Sequence, residues 1–254
     1  MDGGSTDESV QVIKKYEPWL ACWVSERDKG QANALNKGID RCTGEVFNWI
    51  NSDDYLELLA LRNIAENIGE SDALAGVVLN FGEKNNEHVR SANVTVKGFL
   101  LAGEPAVYQQ PGTWIKLDEL KKCGKLNEGL HYCFDLEMMF LFLNSYPKVY
   151  YSNAVLARFR LHPQSKTIDC AERFEYDKYL IVTSLLLNSE FRNRYAVEIY
   201  SFLSSRYRLA KIGLIRNEPI TNTKKIIKML RAMVDDITSY PFRLVLGGIR
   251  RIIL

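Results

Sequence analysis

Asn51-Ser52-Asp53-Asp54 sets two adjacent carboxylates directly behind the apolar run of residues 46–50. Like charges this close repel unless a cation or ordered donors compensate. A hard divalent ion, Mg²⁺ or Mn²⁺, suits them, because it takes carboxylate oxygens and completes its shell with water and phosphate. Placed there it can neutralise a departing diphosphate. The same four residues also read as an acidic turn ahead of a helix. Asp2-Gly3-Gly4-Ser5-Thr6-Asp7 is a turn cluster whose first carboxylate can accept hydrogen bonds from a base or ribose, or cap the helix that follows. Residues 25–38 join a charged loop containing Asp28 to a helix N-terminus, a place for anionic or ribose-type contacts.

These residues need elements to hold them. Helical periodicity runs through Val10, Val12, Ile13 and Tyr16, through residues 31–41 with Ala34, Leu35 and Ile39 on one stripe, and through residues 57–68. Short apolar runs at 22–26, 46–50 and 75–80 read as strands. The alternation β-α-β-α-β favours a largely parallel sheet with ligands at the strands' carboxyl ends. Residues 88–96 and 149–159 have strand character, while 117–123 and about 134–143 read as helices. Beyond residue 170 the period is helical nearly throughout. Ile226, Ile227, Leu230, Met233, Val234 and Ile237 mark one amphipathic face.

Taken in order, DGGSTDES, SERDKGQANALNKGI and NSDDYL resemble the family-2 glycosyltransferases of the GT-A fold. The resemblance implies an α/β architecture: a Rossmann-like, mostly parallel sheet flanked by helices over residues 1–168, and a helical extension over 169–254. It also implies a first strand and a nucleotide-embracing segment ahead of Asp2. Asp2 then lies by the nucleotide base, Asp28 contributes to nucleotide binding, and Asp53 and Asp54 fill the place of the DxD-type motif for ribose and metal-diphosphate. Two positions depart from the pattern: Asn51 stands where many members carry the motif's first aspartate, and Gly3 where many carry a second aspartate.

The resemblance continues through Gln109-Gln110-Pro111-Gly112-Thr113-Trp114 and residues 126–137, similar to the family's acceptor side. It makes Asp135 the general base of an inverting transfer, with Glu137 as fallback. A carboxylate takes the acceptor hydroxyl's proton as that oxygen attacks opposite the departing diphosphate. As residues alone, Asp135 also reads as a helix N-cap. Residues 158–167 resemble the family's loop after the acceptor region, where His162, Arg160 and Lys166 meet the metal or diphosphate once donor binds. The implied partners are a UDP-, GDP- or dTDP-sugar and a saccharide or lipid-linked saccharide acceptor, in surface polysaccharide or glycolipid synthesis. The alternative is a truncated or degenerate member that binds nucleotide or a partner without turnover.

The bulk properties set bounds. The chain has 254 residues, is 46% hydrophobic and 25% charged, and carries no uncharged apolar run long enough to span a bilayer. Five scattered cysteines (Cys22, Cys42, Cys123, Cys133 and Cys170) without CxxC spacing argue for a reducing, cytoplasmic location and against zinc. Residues 188–254 hold 13 Lys/Arg against 5 Asp/Glu, the remainder 20 against 26. With no zinc or helix-turn-helix signature, nucleic acid is not expected. A basic tail with Phe242, Leu246, Ile249 and Ile253 beside Arg243, Arg250 and Arg251 suits peripheral contact with the inner face of a membrane, or packing on other helices.

Overall fold

A computed structural model describes residues 1–82, 86–100, 105–162 and 171–217, with Lys224 and Ile227 beyond them. The chain divides into two compact units, Met1–Ile199 and Tyr200–Leu254. The expected boundary at 168/169 lies outside the described residues, as do Lys166 and the tail beyond residue 227.

In chain order the elements are α1 (Ser9–Tyr16), α2 (Gln31–Arg41), β1 (Val46–Phe47), β2 (Tyr55–Leu56), α3 (Ala60–Asn67) and β3 (Ala73–Gly82). There follow β4 (Glu87–Arg90), α4 (Val96–Leu100), β5 (Thr113–Lys116), α5 (Leu117–Cys123), α6 (Phe134–Ser145), β6 (Val149–Leu161), α7 (Ala171–Leu185) and α8 (Ser189–Asn217). The sheet runs β1-β5-β3-β6-β2, with β4 also paired to β3. The expected α/β class holds. Among the described residues no helix is long and apolar enough to cross a membrane.

The expectation of a mostly parallel sheet does not hold. Among the described strands only β3 and β6 pair in parallel, and the four other pairs are antiparallel. Two causes are visible. The runs at 22–26 and 46–50 give little regular strand: an isolated parallel bridge from Asp2 to Ser25, and the two-residue β1. Strand β5 then enters antiparallel between β1 and β3, while β4 folds back on β3 across a short connection, which favours antiparallel pairing.

Strand β3 is the spine of the sheet. Its run from Ala73 to Val78 is buried almost without exception, which is why it reads as continuous apolar sequence rather than alternation. Ala60, Ile64 and Ile68 pack over Leu74, Trp114 and Leu156 on one side. Helix α6 buries Met138, Met139, Phe140, Phe142 and Leu143, and its apolar residues sit on every side because neighbours surround it. Gly112 lets the loop before β5 press onto β3, since a Cβ there would stand 2.5 Å from Val78 Cγ2. Between its pairs Ala73–Val149 and Val78–Ala157, β6 uses three more residues than β3 and absorbs them as bulges.

Candidate active site

The Asp2 carboxylate organises its own loop. Oδ2 accepts from the Gly4 N–H at 3.1 Å, the Ser5 N–H at 3.0 Å and the Ser25 hydroxyl at 2.6 Å, and Oδ1 from the Ser5 hydroxyl at 2.5 Å. These donors, Ser25 foremost, pull its carboxyl down to about 2. The main chain joins in: the Asp2 N–H donates to Val24 O and the Glu26 N–H to Asp2 O. Asp28 turns toward Gly3, and a Cβ on Gly3 would collide with the Asp28 carboxylate, whose Oδ1 accepts from the Gly30 N–H at 2.8 Å. Asp2 and Asp28 therefore share one corner, ahead of α2.

The NSDD segment divides its carboxylates. Asp54 is 8% exposed; its Oδ1 accepts from the Arg160 N–H at 2.8 Å and its Oδ2 from Asn51 Nδ2 at 3.1 Å. Burial pushes its carboxyl above the usual range against those bonds. Asp53 faces outward, with Oδ2 3.2 Å from His162 Nε2. Asn51 in turn accepts from Gln31 Nε2, at the first turn of α2, at 3.1 Å.

Around this segment the sheet presents a layer of rings and guanidiniums. Arg158 lies over Tyr55 at 5.6 Å, Arg160 over Phe81 at 5.4 Å, and the two rings are 5.5 Å apart. Arg158 also pairs with Glu57.

Asp135 sits in the first turn of α6, but Cys133 holds the N-cap position and makes no side-chain cap, so the capping reading fails. Asp135 Oδ1 accepts the Leu136 N–H at 2.8 Å. Burial raises its carboxyl to about 6, with Lys178 near enough to oppose the shift. Burial first, and then the Asp135 charge, raise the Tyr108 phenol. Glu137 is engaged elsewhere, its Oε1 accepting from Asn127 Nδ2 at 3.2 Å. Phe134 joins α6 to the donor side through its ring 6.3 Å from Trp49, four residues before Asp53. The loop before β5 is fastened to the same stretch: Gln110 Nε2 donates to Asn48 Oδ1 at 2.6 Å and to Trp49 O at 2.8 Å.

The fit for a divalent cation rests on Asp53 and His162, a carboxylate and an imidazole side by side, with side chains 40% and 36% exposed. Among the described residues no group of three or more His, Cys, Asp or Glu gathers. Those two side chains could take part of a divalent cation's shell, the rest falling to phosphate oxygens and water. Sequence reasoning missed Tyr108 and Lys178, and it placed Gln31 in the 25–38 segment without its link to Asn51. No local pattern marks Tyr108 or Lys178, because each meets the site only through folding.

The family model for glycosyl transferase family 2 matches residues 1–140. Among solved structures, S. aureus TarS 1-349 in complex with UDP-GlcNAc superposes with a TM-score of 0.64 at 17% identity, covering 95% of this chain and 72% of that one. The complex of the same protein with UDP gives 0.54 at 20% identity, over 73% and 54%. Among curated proteins, a PGL/p-HBAD biosynthesis glycosyltransferase of Mycobacterium bovis (strain BCG / Pasteur 1173P2) is 35% identical over 86 residues, 31% of this chain and 34% of that protein. An uncharacterized glycosyltransferase of Mycobacterium tuberculosis (strain ATCC 25618 / H37Rv) is 39% identical over 54 residues, 21% of each. The match thus spans about a third or less of these relatives' length. Fold and site define a nucleotide-sugar-transferase-like α/β domain. The chain belongs to glycosyl transferase family 2.

Proposed function

We propose that the protein transfers a sugar from a nucleotide diphosphate donor to a hydroxyl acceptor with inversion, Asp135 serving as the general base. The observation that carries this reading is the Asp135 carboxyl, raised by burial to about 6 on a helix whose Phe134 packs against Trp49, four residues before Asp53. A carboxyl of that pKa is mostly ionised at neutral pH, yet takes up a proton more readily than an ordinary carboxylate. At the other end, the pair of Asp53 and His162 holds Mg²⁺ or Mn²⁺. Bound there, the ion supplies positive charge for the departing diphosphate.

The chain's own residues do the rest. The corner of Asp2 and Asp28 receives the nucleoside, with Asp2 acting through the loop it ties together. Arg160, its guanidinium stacked on Phe81, faces phosphate as a fixed plane. Asp135 orients the acceptor hydroxyl and takes its proton. The UDP and UDP-GlcNAc bound by S. aureus TarS favour a UDP-sugar among UDP-, GDP- and dTDP-donors. The acceptor is a saccharide or lipid-linked saccharide, in glycolipid or polysaccharide synthesis at the cytoplasmic side; the mycobacterial relative named for PGL/p-HBAD biosynthesis supports a biosynthetic role.

The test is Asp135→Asn. Transfer from UDP-GlcNAc should fall about 100-fold or more, as loss of a general base does, while calorimetric binding of UDP with Mn²⁺ stays as in wild type. Normal turnover by this variant would overturn the assignment.

A further inference from the structure

Two hydrogen bonds tie the end of β6 to the NSDD segment, and they differ in kind. The first joins the half-exposed side chains of Asp53 and His162 at 3.2 Å. The second joins the buried Asp54, through Oδ1, to the Arg160 N–H at 2.8 Å, two residues earlier on β6. The antiparallel ladder between β2 and β6 pairs Leu56 with Ala157 and Tyr55 with Arg158, and there it stops. The next β6 residue with an N–H directed at this edge is Arg160. A carboxylate, not a main-chain carbonyl, receives it. Asp54 therefore ends the ladder by standing in for the backbone, which frees residues 51–53 to leave the sheet and turn Asp53 toward His162.

The other oxygen of Asp54 is held from behind. Asn51 Nδ2 donates to Asp54 Oδ2 at 3.1 Å, and Asn51 Oδ1 accepts from Gln31 Nε2 at 3.1 Å. The Asp54 N–H closes the turn on Asn51 O at 3.1 Å. An amide is the side chain that gives to a carboxylate on one side and receives an amide on the other. An aspartate at 51 would face Asp54 with like charge at that separation. This accounts for Asn51 where many family members carry an aspartate.

We propose that Asn51 and Asp54 are positioning residues: the relay Gln31–Asn51–Asp54–Arg160 sets His162 opposite Asp53, and so fixes the two-donor grip on the metal-bound diphosphate. The inference rests on the proposed function for its metal, and on the relay's own bonds for its geometry. It assigns Asp54 a task behind the ion rather than on it.

The experiment reads His162 directly. The chain has three histidines, so the imidazole resonances can be assigned with His162→Gln. In metal-free protein, Asp53→Asn removes the direct partner and defines the His162 shift of a broken pair. Asn51→Asp and Asp54→Asn should move the His162 resonance at least half of that way, with His88 and His131 unmoved as the sign of an intact fold. In the second arm, Mn²⁺ is titrated with UDP present. Selective broadening of His162 should require about tenfold more Mn²⁺ in Asn51→Asp than in wild type, the usual cost of losing an outer support. A wild-type His162 shift in folded Asn51→Asp overturns the positioning role, whatever the metal does. If Asp54→Asn does not fold, Asn51→Asp alone decides. Failure of Mn²⁺ to broaden His162 in wild type instead overturns the metal reading, and the metal-free arm still judges the relay.

Discussion

Asn36 and Leu126 exchange two hydrogen bonds, each 2.9 Å long: the Leu126 N–H donates to Asn36 Oδ1, and Asn36 Nδ2 donates to the Leu126 carbonyl. The side-chain amide copies the pairing that a neighbouring strand would make, in a buried setting where Asn36 is 4% exposed. Glu128 extends the seam by accepting from Asn33 and Asn36, which hold its carboxyl below the usual range. Helix α2, on the donor side, is thereby bound to the segment that leads to Asp135.

Asn36→Ala should destabilise the fold by about 3 kcal/mol, because it strands a buried N–H and a buried carbonyl together. Urea unfolding measures this. A loss below about 1 kcal/mol would mean that water replaces the amide at no cost.

The Asp135 carboxyl carries a pH signature. Its pKa is raised from 3.8 to about 6 on folding, so between those values the folded chain binds the extra proton. Stability therefore falls as pH rises from about 4 to about 6 and stays lower above. Asp135→Asn removes that penalty and should be more stable than wild type by about 3 kcal/mol at pH 8, the two converging below pH 4. In wild type, kcat/KM should rise with pH along a limb centred near 6. Parallel unfolding curves at pH 4 and pH 8 would contradict the burial of this carboxylate.

Gly3→Ala should weaken UDP binding about tenfold, since the methyl must displace the Asp28 carboxylate, an overpacking cost of about 1–3 kcal/mol. Gly3→Asp should be worse, setting two carboxylates against each other. Calorimetry of UDP checks both. Wild-type affinity in Gly3→Ala would show that Asp28 is not part of the nucleoside corner.

Removing the cation by EDTA should abolish transfer and reduce UDP affinity, and Mn²⁺ should restore both. Asp53→Ala should lose this metal dependence, with a roughly 100-fold weaker UDP·Mn²⁺ complex, as befits one charge-assisted contact of about 3 kcal/mol. The double variant with His162→Ala should cost little more than the first, because the two act together. Additive losses would separate them.

Much of this was legible from residue types and spacing. The helices at 31–41 and 117–123 fall where they read in the sequence, although α2 buries Ala32, Asn36 and Ile39 rather than the stripe of Ala34, Leu35 and Ile39. The long strand through 149–159 extends only two residues further than it reads. The sheet's direction was not legible, because periodicity marks a strand without saying which neighbour it takes; β5 finds β1 and β3 across long stretches of chain. At the site, the adjacency of Asp53 and Asp54 invited a joint role, yet their side chains point to different partners. The turn closed by the Asp54 N–H on Asn51 O sends the two side chains apart, which adjacency in sequence does not reveal. Gly3 departs from the family's pattern because Asp28 occupies the space a side chain there would need, a relation that only the fold reveals.

The irregular stretch of β6 has a further consequence. Its three additional residues are an odd number, and strand side chains alternate with a period of two. Straightened to the register of its first pairs, the strand would bring Ala157, not Arg160, opposite Phe81. His162 would slide about 10 Å beyond Asp53 and emerge on the reverse surface. A one-residue deletion anywhere from 152 to 156 would thus silence the imidazole without touching it, so the distortion at mid-strand is as much a part of this site as the side chains themselves.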